Sequence, residues 1–311
     1  TRFHPNKDNR AIQPVAGGVK QWQGEVLDGK SLLVWPEQGF GDEIQFVRYL
    51  PLLKGRGVRR LVLVCKKPLQ ALFAQLECVD KVICIDDFDR ADLQGVDYWV
   101  FIMSLPFHFK TRLNSIPANL PYLKVSQQSI DYWANFLPSL ALNVGLVWKG
   151  SALHKNDASR SLASLTELKP LWEIEGVSFI SLQKGAGEDE LIMASVEQPI
   201  IALGGKVKVF SDMAAVIAQL DLVICVDTAV AHLAGALNKP CWVLLPAYDT
   251  DWRWLQDRID SPWYPEVMRL FRQTKDGDWA DVIGQVKQAL KEEAQITFEG
   301  FLNRSVVLFQ Q

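Results

Sequence analysis

Four stretches of this sequence place polar side chains and small residues directly after apolar runs, a combination that can support chemistry. The first stretch is GFGD, which ends in Asp42. Gly39 and Gly41 permit a sharp turn into a helix, and a carboxylate at the start of that helix can act as a general base. The same carboxylate suits a helix N-cap, with Gln45 completing a capping box. Both roles for Asp42 stay open at this point.

The second stretch begins at Lys149, directly after an apolar run, and continues to Arg160. Lys149 offers a point charge to a phosphate, and the guanidinium of Arg160 can bind two oxygens of one anion. A solvated cationic loop would have the same composition. The stretch therefore indicates either an anion site or an ordinary charged loop.

The third stretch contains Gln183 and Lys184 and follows the apolar run Val177–Leu182. In a nucleotide-binding sheet, side chains at this point are placed to read a base or a ribose. The acids of Glu188–Glu190 behind them are typical of a first helical turn, where the helix dipole favours negative charge. We therefore expect a loop followed by a helix here.

The fourth stretch is DTAV, residues 227–230, with His232 soon after it. Small residues at the start of a helix leave its first N–H groups accessible, and such an N-terminus binds anions. Asp227 suits either sugar hydroxyls or the cap of the helix. His232 either faces a ligand or makes a polar contact in the core.

Composition excludes several classes of function. The net charge of −3 gives no electrostatic reason to expect a nucleic acid or an anionic membrane as partner. Five cysteines without a CxxC pair and four histidines give no zinc pattern, and the calcium-loop spacing is absent, so we expect no metal. The sequence has neither the GxSxG of α/β-hydrolases nor a GxGxxG dinucleotide fingerprint. No apolar run reaches the roughly 18–20 residues of a membrane span.

Apolar runs alternate with amphipathic segments along the 311 residues, which predicts parallel sheets with right-handed crossovers. The predicted strands are Ser31–Trp35, Arg60–Cys65, Lys81–Ile85, Tyr98–Met103, Val144–Trp148, Val177–Leu182, Ile200–Leu203, Leu220–Val226 and Cys241–Leu245. The predicted helices are Pro68–Glu77, Ser129–Leu137, Ser211–Leu220 and Asp281–Glu292. Because the alternation restarts after Pro117–Gln127, we expect two α/β domains, residues 1–140 and 141–291, that face each other across a cleft.

Taken together, the motifs resemble the glycosyltransferase domains attached to bacterial tetratricopeptide-repeat proteins, which are similar to the ADP-heptose:lipopolysaccharide heptosyltransferases. The resemblance extends over roughly residues 20–290, with the motifs in family order. The segments that carry it are Glu37–Tyr49, Gly145–Leu162, Ile180–Lys184, Val226–Gly235, Asp251–Leu255 and Ser261–Pro265.

The resemblance implies a GT-B fold of two facing Rossmann-like domains with parallel sheets, in which residues 292–311 return to the first domain. It implies an inverting, metal-independent enzyme with a nucleotide-diphosphate-sugar as substrate and no cofactor. Its motifs assign Asp42 as the catalytic base. The donor-binding residues that it implies are Lys149, Gly150, Arg160, Gln183, Lys184, Asp227, Thr228, Ala229, Val230 and His232, with Gly39, Gly41 and Trp252 in loops at the cleft.

We therefore expect a cytoplasmic glycosyltransferase acting on a glycan, lipid-linked or protein acceptor, without a nucleic-acid partner and with peripheral membrane contact left open. One alternative is a non-catalytic module that binds a nucleotide sugar, a glycan or a protein. Another is a sugar-nucleotide epimerase on the same fold. Because Trp148–Gly150 and Gln183–Lys184 depart from the heptosyltransferase pattern, the donor sugar and base stay open. Of eleven tryptophans, Trp148, Trp252, Trp254 and Trp263 are expected near the donor, either stacking on it or packing the loops.

Overall fold

The computed structural model describes residues 18–139, 142–193 and 200–309. Its chain divides into two compact units, the first reaching Lys124 and including Val209–Ser211, the second holding 125–208 and 212–311. This second unit includes a helix that precedes residue 140 and the C-terminal helix. The boundary at residues 140 and 141, and the return of residues 292–311 to the first domain, stay predictions.

The first unit contains a five-stranded parallel sheet in the order β1-β5-β2-β3-β4. All four predicted strands of this half are confirmed. β2 is buried at every residue, as expected of an apolar run without alternation. The two residues of β1 are too few to form a pattern in the sequence. The strands are β1 Lys20–Gln21, β2 Ser31–Trp35, β3 Arg60–Cys65, β4 Lys81–Cys84 and β5 Tyr98–Phe101.

The second unit contains a six-stranded parallel sheet in the order β11-β10-β9-β6-β7-β8. The five predicted strands are confirmed with small changes at their ends. β11 was not predicted, because Arg269 and Arg272 interrupt its apolar residues. The strands are β6 Leu142–Val147, β7 Val177–Ser181, β8 Ile200–Ala202, β9 Leu222–Val226, β10 Cys241–Leu245 and β11 Met268–Arg272.

Short helices connect most of these strands. The α-helices are α1 Phe40–Phe46, α2 Leu50–Gly55, α3 Gln70–Phe73, α4 Leu105–His108, α5 Gln127–Ala134, α6 Asp157–Arg160, α7 Glu188–Met193, α8 Phe210–Ile217, α9 Ala229–Ala236 and α10 Trp279–Phe309. The 3-10 helices are Val47–Tyr49, Lys67–Leu69, Ile85–Asp87, Arg90–Leu93, Ile102–Ser104, Leu113–Ser115, Leu165–Glu173 and Trp252–Trp254. The predicted helix at Pro68–Glu77 is therefore divided into a 3-10 turn and the short α3.

Strand order places the candidate sites. In the second sheet the chain runs outward from β6 to β8, then returns to β9 beside β6 and runs outward the other way. In the first sheet the chain runs outward from β2 to β4 and then returns to β5 beside β2, and the short β1 pairs with the other side of β5. Ligands of open α/β sheets bind at the carboxyl ends of strands where the order reverses. The segments after β6 and β9, and after β2 and β5, are therefore the places to examine.

The core of the second unit lies between its sheet and α10. Val282, Val286 and Leu290 of α10 are fully buried and belong to one cluster with Leu168 and Leu171 of the preceding 3-10 segment. This packing covers one face of the sheet with α10. The loops that carry the candidate site residues leave the sheet at the carboxyl ends of its strands. Within the described residues, no helix has the length and apolar character needed to cross a membrane.

Candidate functional site

Arg160 connects the two loops at the reversal of the second sheet. It ends α6, which follows β6, and its Nη1 donates a 3.0 Å hydrogen bond to the main-chain oxygen of Asp227, directly after β9. Its Nε lies 3.4 Å from the carboxylate of Asp157. The guanidinium side chain is 12% exposed, so it is fixed yet reachable. A fixed guanidinium at this edge suits an anionic ligand.

Gly150 makes the position of Arg160 possible. A Cβ at Gly150 would lie 2.6 Å from Nη2 of Arg160 and 2.9 Å from its Cζ, closer than real contacts allow. The N–H of Gly150 donates to Oγ of Ser161 at 2.9 Å, and that hydroxyl donates to Asp157 at 2.8 Å. Asp157 and Ser161 thus hold both the loop and the arginine. Neither residue was among the predicted site residues, although the DASRS pattern places both beside Arg160.

Gln183 joins the loops after β6 and β7. Its Oε1 accepts hydrogen bonds from the N–H groups of Trp148 and Lys149, each at 2.9 Å. Its Nε2 donates to the main-chain oxygens of Lys149 at 3.0 Å and Ala186 at 2.7 Å. The residue is 1% exposed and the amide makes four hydrogen bonds. This geometry assigns Gln183 to holding the Lys149 loop, whereas direct contact with a base would require breaking these bonds.

Lys149 forms an ion pair with Glu190 of α7. Glu190 also accepts from the main-chain N–H of Leu165 at 2.6 Å and from the indole of Trp148 at 3.3 Å. The acidic first turn predicted for this helix is confirmed, and one of its acids takes part in the site. Lys184, the neighbour of Gln183, is exposed, and its Nζ donates to the main-chain oxygen of Gly204 at 3.4 Å.

Gly204 packs so closely on the backbone of Gln183 that we expect Gly204→Ala to be strongly destabilising. A Cβ at Gly204 would lie 1.8 Å from the main-chain oxygen of Gln183, and neither backbone can yield by rotating a side chain. We expect the free energy of unfolding in urea to fall by about 3 kcal/mol. Gly205→Ala is the matched control, because its Cβ would meet only Oε2 of Glu188 at 3.6 Å. Equal stability of the two variants would contradict this account.

The N-terminus of α9 lies directly after β9. Thr228 is its N-cap residue in an extended conformation, and Ala229 and Val230 form its first turn. The hydroxyl oxygen of Thr228 is buried without a hydrogen-bond partner among the described residues. First-turn N–H groups have no partner within their helix, so this end presents several donors beside Arg160. The predicted anion-binding residues are thus brought together at one edge of the sheet.

His232 lies one turn into α9 and is 4% exposed. Its Nδ1 is 2.9 Å from the hydroxyl of Tyr264, and its ring stacks on Trp254 with centroids 5.3 Å apart. Of the two roles considered for His232, these contacts are those of a polar group in the core. Gly235 permits the packing, since a Cβ there would lie 2.3 Å from the Tyr264 ring. His232 therefore positions α9 against the segment that follows β10.

Asp227 has an unusual environment for a carboxylate. Burial, together with the negative charge of Asp251, raises its pKa from 3.8 to about 6. The indole of Trp254 and the guanidinium groups of Arg160 and Arg253 act in the opposite direction. Asp251 itself accepts hydrogen bonds from the N–H and from Nη1 of Arg253, both at 2.9 Å. The carboxylates of Asp227 and Asp251 and the guanidinium groups of two arginines therefore interact electrostatically at this edge of the sheet.

The raised pKa of Asp227 predicts a pH-dependent stability. The folded state binds this proton more tightly than the unfolded state, so the free energy of unfolding falls as the pH rises from about 4 to about 7. Asp227→Asn removes this dependence, which is on the order of 2–3 kcal/mol. We expect urea unfolding at pH 5 and pH 7 to show a smaller decrease in stability for Asp227→Asn than for the wild type. Asp276→Asn, at an exposed position, is the control and should behave as the wild type. An identical pH dependence in all three proteins would refute the assignment.

Asp42 lies in the first unit, in the first turn of α1. The helix begins at Phe40 with Gly39 as N-cap, so the N-cap role considered as one alternative for Asp42 is wrong. Asp42 is the third residue of the helix, and its Oδ2 accepts the N–H of Gly39 at 2.8 Å. Because Gly39 has the extended backbone of an N-cap residue, the helix is capped three residues before Asp42. The predicted capping partner, Gln45, is instead fully buried, and its amide makes no hydrogen bond within the described residues.

The segment before Asp42 is fixed to neighbouring strands. Glu37 accepts the N–H of Met103, just after β5, at 3.1 Å. Lys66, which follows β3, forms a 2.6 Å ion pair with the buried Glu43 and donates to the main-chain oxygen of Gln38 at 2.7 Å. Burial raises the pKa of Glu43, an effect that Lys66 opposes. The carboxylate of Asp42 therefore stands on a rigid scaffold at the reversal of the first sheet.

The four tryptophans expected near the donor differ in exposure. Trp148 and Trp254 are fully buried, and Trp263 is 5% exposed, so these three pack the loops. Trp252 is 50% exposed and is the one among the four whose ring is open to solvent. Among the described residues, no group of three or more acidic, histidine or cysteine side chains is arranged for a metal ion. Independence from metal stays a prediction.

Comparison with known proteins finds one family model that matches part of the chain and one curated relative. Residues 177–245, from β7 to β10, match the model of glycosyltransferase family 9 (heptosyltransferase). Protein FlbA of Caulobacter vibrioides is 29% identical over 94% of this chain and 51% of its own length, so the chain spans about half of that relative. The matched segment contains Gln183, Lys184 and the whole of α9, whereas Lys149 and Arg160 precede it.

Solved structures show the same fold. ADP-heptose LPS heptosyltransferase II of E. coli has a TM-score of 0.59 at 14% identity, covering 85% of this chain and 100% of its own. E. coli heptosyltransferase WaaC with ADP has a TM-score of 0.55 at 13% identity, with the same coverages of 85% and 100%. The chain therefore has the GT-B fold of the heptosyltransferases, and its segment 177–245 matches glycosyltransferase family 9 in sequence.

Proposed function

We propose that this chain is a glycosyltransferase that uses a nucleotide-diphosphate-sugar. The observation that supports this most is the meeting of Arg160 with the main-chain oxygen of Asp227 beside the N-terminus of α9, at the strand reversal. Part of this region lies in the segment that matches glycosyltransferase family 9. The solved structure of WaaC, which has the same fold, was determined with ADP.

The diphosphate of the donor would bind at the N-terminus of α9. The N–H groups of Ala229 and Val230, the hydroxyl of Thr228 and the guanidinium of Arg160 supply donors that are already in place. When the bond to the sugar breaks, negative charge grows on the leaving diphosphate, and fixed donors stabilise that charge without reorganisation. Lys149 contributes positive charge next to this site, held in position by Glu190 and Gln183.

Asp42 would take the proton of the acceptor hydroxyl. Its Oδ2 accepts from the N–H of Gly39, an arrangement that orients the carboxylate. The attacking oxygen bonds to the anomeric carbon, the bond to the diphosphate breaks, and the hydroxyl proton goes to the carboxylate. A direct displacement of this kind inverts the anomeric centre, and we propose that it proceeds without a metal.

The acceptor that we propose is a glycan, a lipid-linked glycan or a protein, and the site of action is the bacterial cytoplasm. Peripheral membrane contact stays open. We further propose that the domain is attached to tetratricopeptide repeats. The match with this chain covers 51% of the length of FlbA, so about half of FlbA lies outside the matched region.

Release of nucleoside diphosphate tests the proposal. The purified protein is incubated with ADP-glucose, GDP-mannose, UDP-glucose and UDP-N-acetylglucosamine, each with and without EDTA. We expect release above the buffer rate from at least one donor, unchanged by EDTA. Binding without release would support the non-catalytic alternative, and a changed sugar stereochemistry without an acceptor would support an epimerase. Loss of release in EDTA would contradict metal independence.

A further inference from the structure

We infer that the segment between β10 and β11 forms a binding site for a sugar ring, with Trp252 as its platform. The choice of ligand rests on the proposed function. The segment lines an open surface cavity of about 570 Å³ whose walls are Trp252, Leu255, Gln256, Asp257 and Arg258, together with Thr250 and Asp251. A volume in this range is typical of sites for small molecules.

The residues of this cavity have the chemistry that a sugar needs. The ring of Trp252 is half exposed, with the guanidinium carbon of Arg253 5.2 Å from its centroid, and its exposed part offers a flat apolar surface for the C–H face of a pyranose. Gln256 and Asp257 are exposed at the rim and offer an amide and a carboxylate to hydroxyl groups. Arg258 is oriented by two hydrogen bonds to Asp260, at 2.7 and 2.6 Å. A stacking surface with polar groups at its edge fits a pyranose, which presents an apolar C–H face and a rim of hydroxyl groups.

The platform is held rigidly. Asp251 caps the turn by accepting the N–H of Arg253 at 2.9 Å, and Trp263 meets the ring of Trp252 edge-on at a centroid distance of 5.9 Å. Trp254, two residues on, is fully buried and stacks on His232 of α9. The side chain of Trp252 is therefore exposed on a turn whose neighbours are fixed to the core. Stacking of a sugar ring on it then costs little conformational entropy.

A strained residue maintains the shape of the cavity. Leu255 has φ 54° and ψ 171°, a region that residues other than glycine rarely adopt. Nη2 of Arg272, on β11, donates to the main-chain oxygen of Trp254 at 2.6 Å and also to that of Leu255. This arginine holds the turn in a conformation that a relaxed loop would leave. Strain of this kind is common where a ligand is clamped.

The cavity is close to the proposed diphosphate site. Asp251 lines it and is the charge that most strongly raises the pKa of Asp227, the residue directly before the N-cap of α9. The ring that binds here therefore belongs either to the donor, as the sugar attached to the diphosphate, or to the acceptor glycan. Both sources present the same C–H face and the same hydroxyl groups, and the test separates them.

The test uses Trp252→Ala, Trp252→Phe as the conservative variant, and Tyr248→Ala as control. Tyr248 is 66% exposed, lies in the same segment and does not line the cavity. The probes are the four nucleotide sugars above, their nucleoside diphosphates, and methyl glycosides of glucose, mannose, galactose and N-acetylglucosamine. Affinities are measured by calorimetry, and saturation-transfer NMR detects binding of the glycosides.

We expect Trp252→Ala to weaken sugar binding about tenfold, Trp252→Phe to restore most of it, and Tyr248→Ala to change nothing. If the ring is the donor's, a nucleotide sugar loses affinity while its nucleoside diphosphate does not, and the nucleotide sugar displaces the glycosides. If it is the acceptor's, both nucleotide affinities are unchanged, the glycosides lose saturation transfer, and nucleotide sugars do not displace them.

An unchanged response of every probe in Trp252→Ala would overturn the inference, as would an equal loss for nucleoside diphosphate and nucleotide sugar. Failure of the proposed function has a different signature. In that case no nucleotide or nucleotide sugar binds the wild type, whereas saturation transfer to the glycosides persists and still depends on Trp252.

Discussion

Asp42→Asn is expected to reduce the rate of sugar transfer at least about a hundredfold while leaving the affinity for nucleoside diphosphate unchanged. Asparagine keeps the size of the side chain, and its amide oxygen can still accept the N–H of Gly39, which Oδ2 of Asp42 accepts at 2.8 Å. It cannot take a proton from the acceptor hydroxyl, and general-base catalysis contributes roughly 10²–10⁴ in rate. The measurement is steady-state transfer with the donor that the wild type uses, combined with calorimetric titration of the diphosphate.

The first unit provides a matched control for this variant. Asp92 is also the third residue of a helical turn whose side chain accepts the N–H of its N-cap residue, Asp89, at 3.1 Å. Asp92→Asn therefore reproduces the change in capping and charge at a place outside the proposed site. We expect it to transfer sugar at the wild-type rate. Equal rates for wild type and Asp42→Asn would remove Asp42 from the mechanism.

Arg160→Met is expected to weaken the binding of nucleoside diphosphate about a hundredfold. The guanidinium supplies charge-assisted donors at a position fixed by the main-chain oxygen of Asp227 and by Gly150, and methionine retains only the apolar part of the side chain. Unlike Asp42→Asn, this variant should affect donor binding and turnover together. Calorimetry with the nucleoside diphosphate that the wild type binds gives the dissociation constants.

Arg269→Met is the control for the loss of one positive charge, because Arg269 is exposed on β11 and stacks on Trp242 and Phe271 away from the diphosphate site. It should bind the nucleotide as the wild type does. Circular dichroism at 222 nm confirms that both variants remain folded. An Arg160→Met protein that binds with wild-type affinity would show that the diphosphate lies elsewhere.

The architecture follows from patterns that the sequence displays directly. Unalternated runs such as Ser31–Trp35 and Leu222–Val226 are buried at every residue, because a strand inside a parallel sheet has apolar neighbours on both faces. Apolar runs in the sequence do not reveal strands that are very short or that mix apolar and charged residues. β1 has two residues, and β11 carries two arginines, of which Arg272 serves the turn at Leu255 rather than the core.

The candidate site was only partly predictable. Position along the chain indicated that Lys149, Gln183 and His232 lie near a ligand, but it did not show which partners they have. Gln183 makes four hydrogen bonds to loops, because backbone groups that leave a sheet need partners as much as a ligand does. His232 contacts the hydroxyl of Tyr264, because a buried ring nitrogen also needs a partner. Partners that lie far away in sequence, such as Glu190 for Lys149, cannot be found from local spacing.

Thermal unfolding in the presence of ADP, GDP, UDP and CDP shows whether a diphosphate binds at the N-terminus of α9. A ligand at a hundred times its dissociation constant stabilises the folded state by about 2.7 kcal/mol. We expect at least one of the four nucleotides to raise the unfolding temperature of the wild type at millimolar concentration, and Arg160→Met to abolish the rise. An unchanged unfolding temperature with all four nucleotides, or a rise that persists in Arg160→Met, would show that no diphosphate binds at this end of α9.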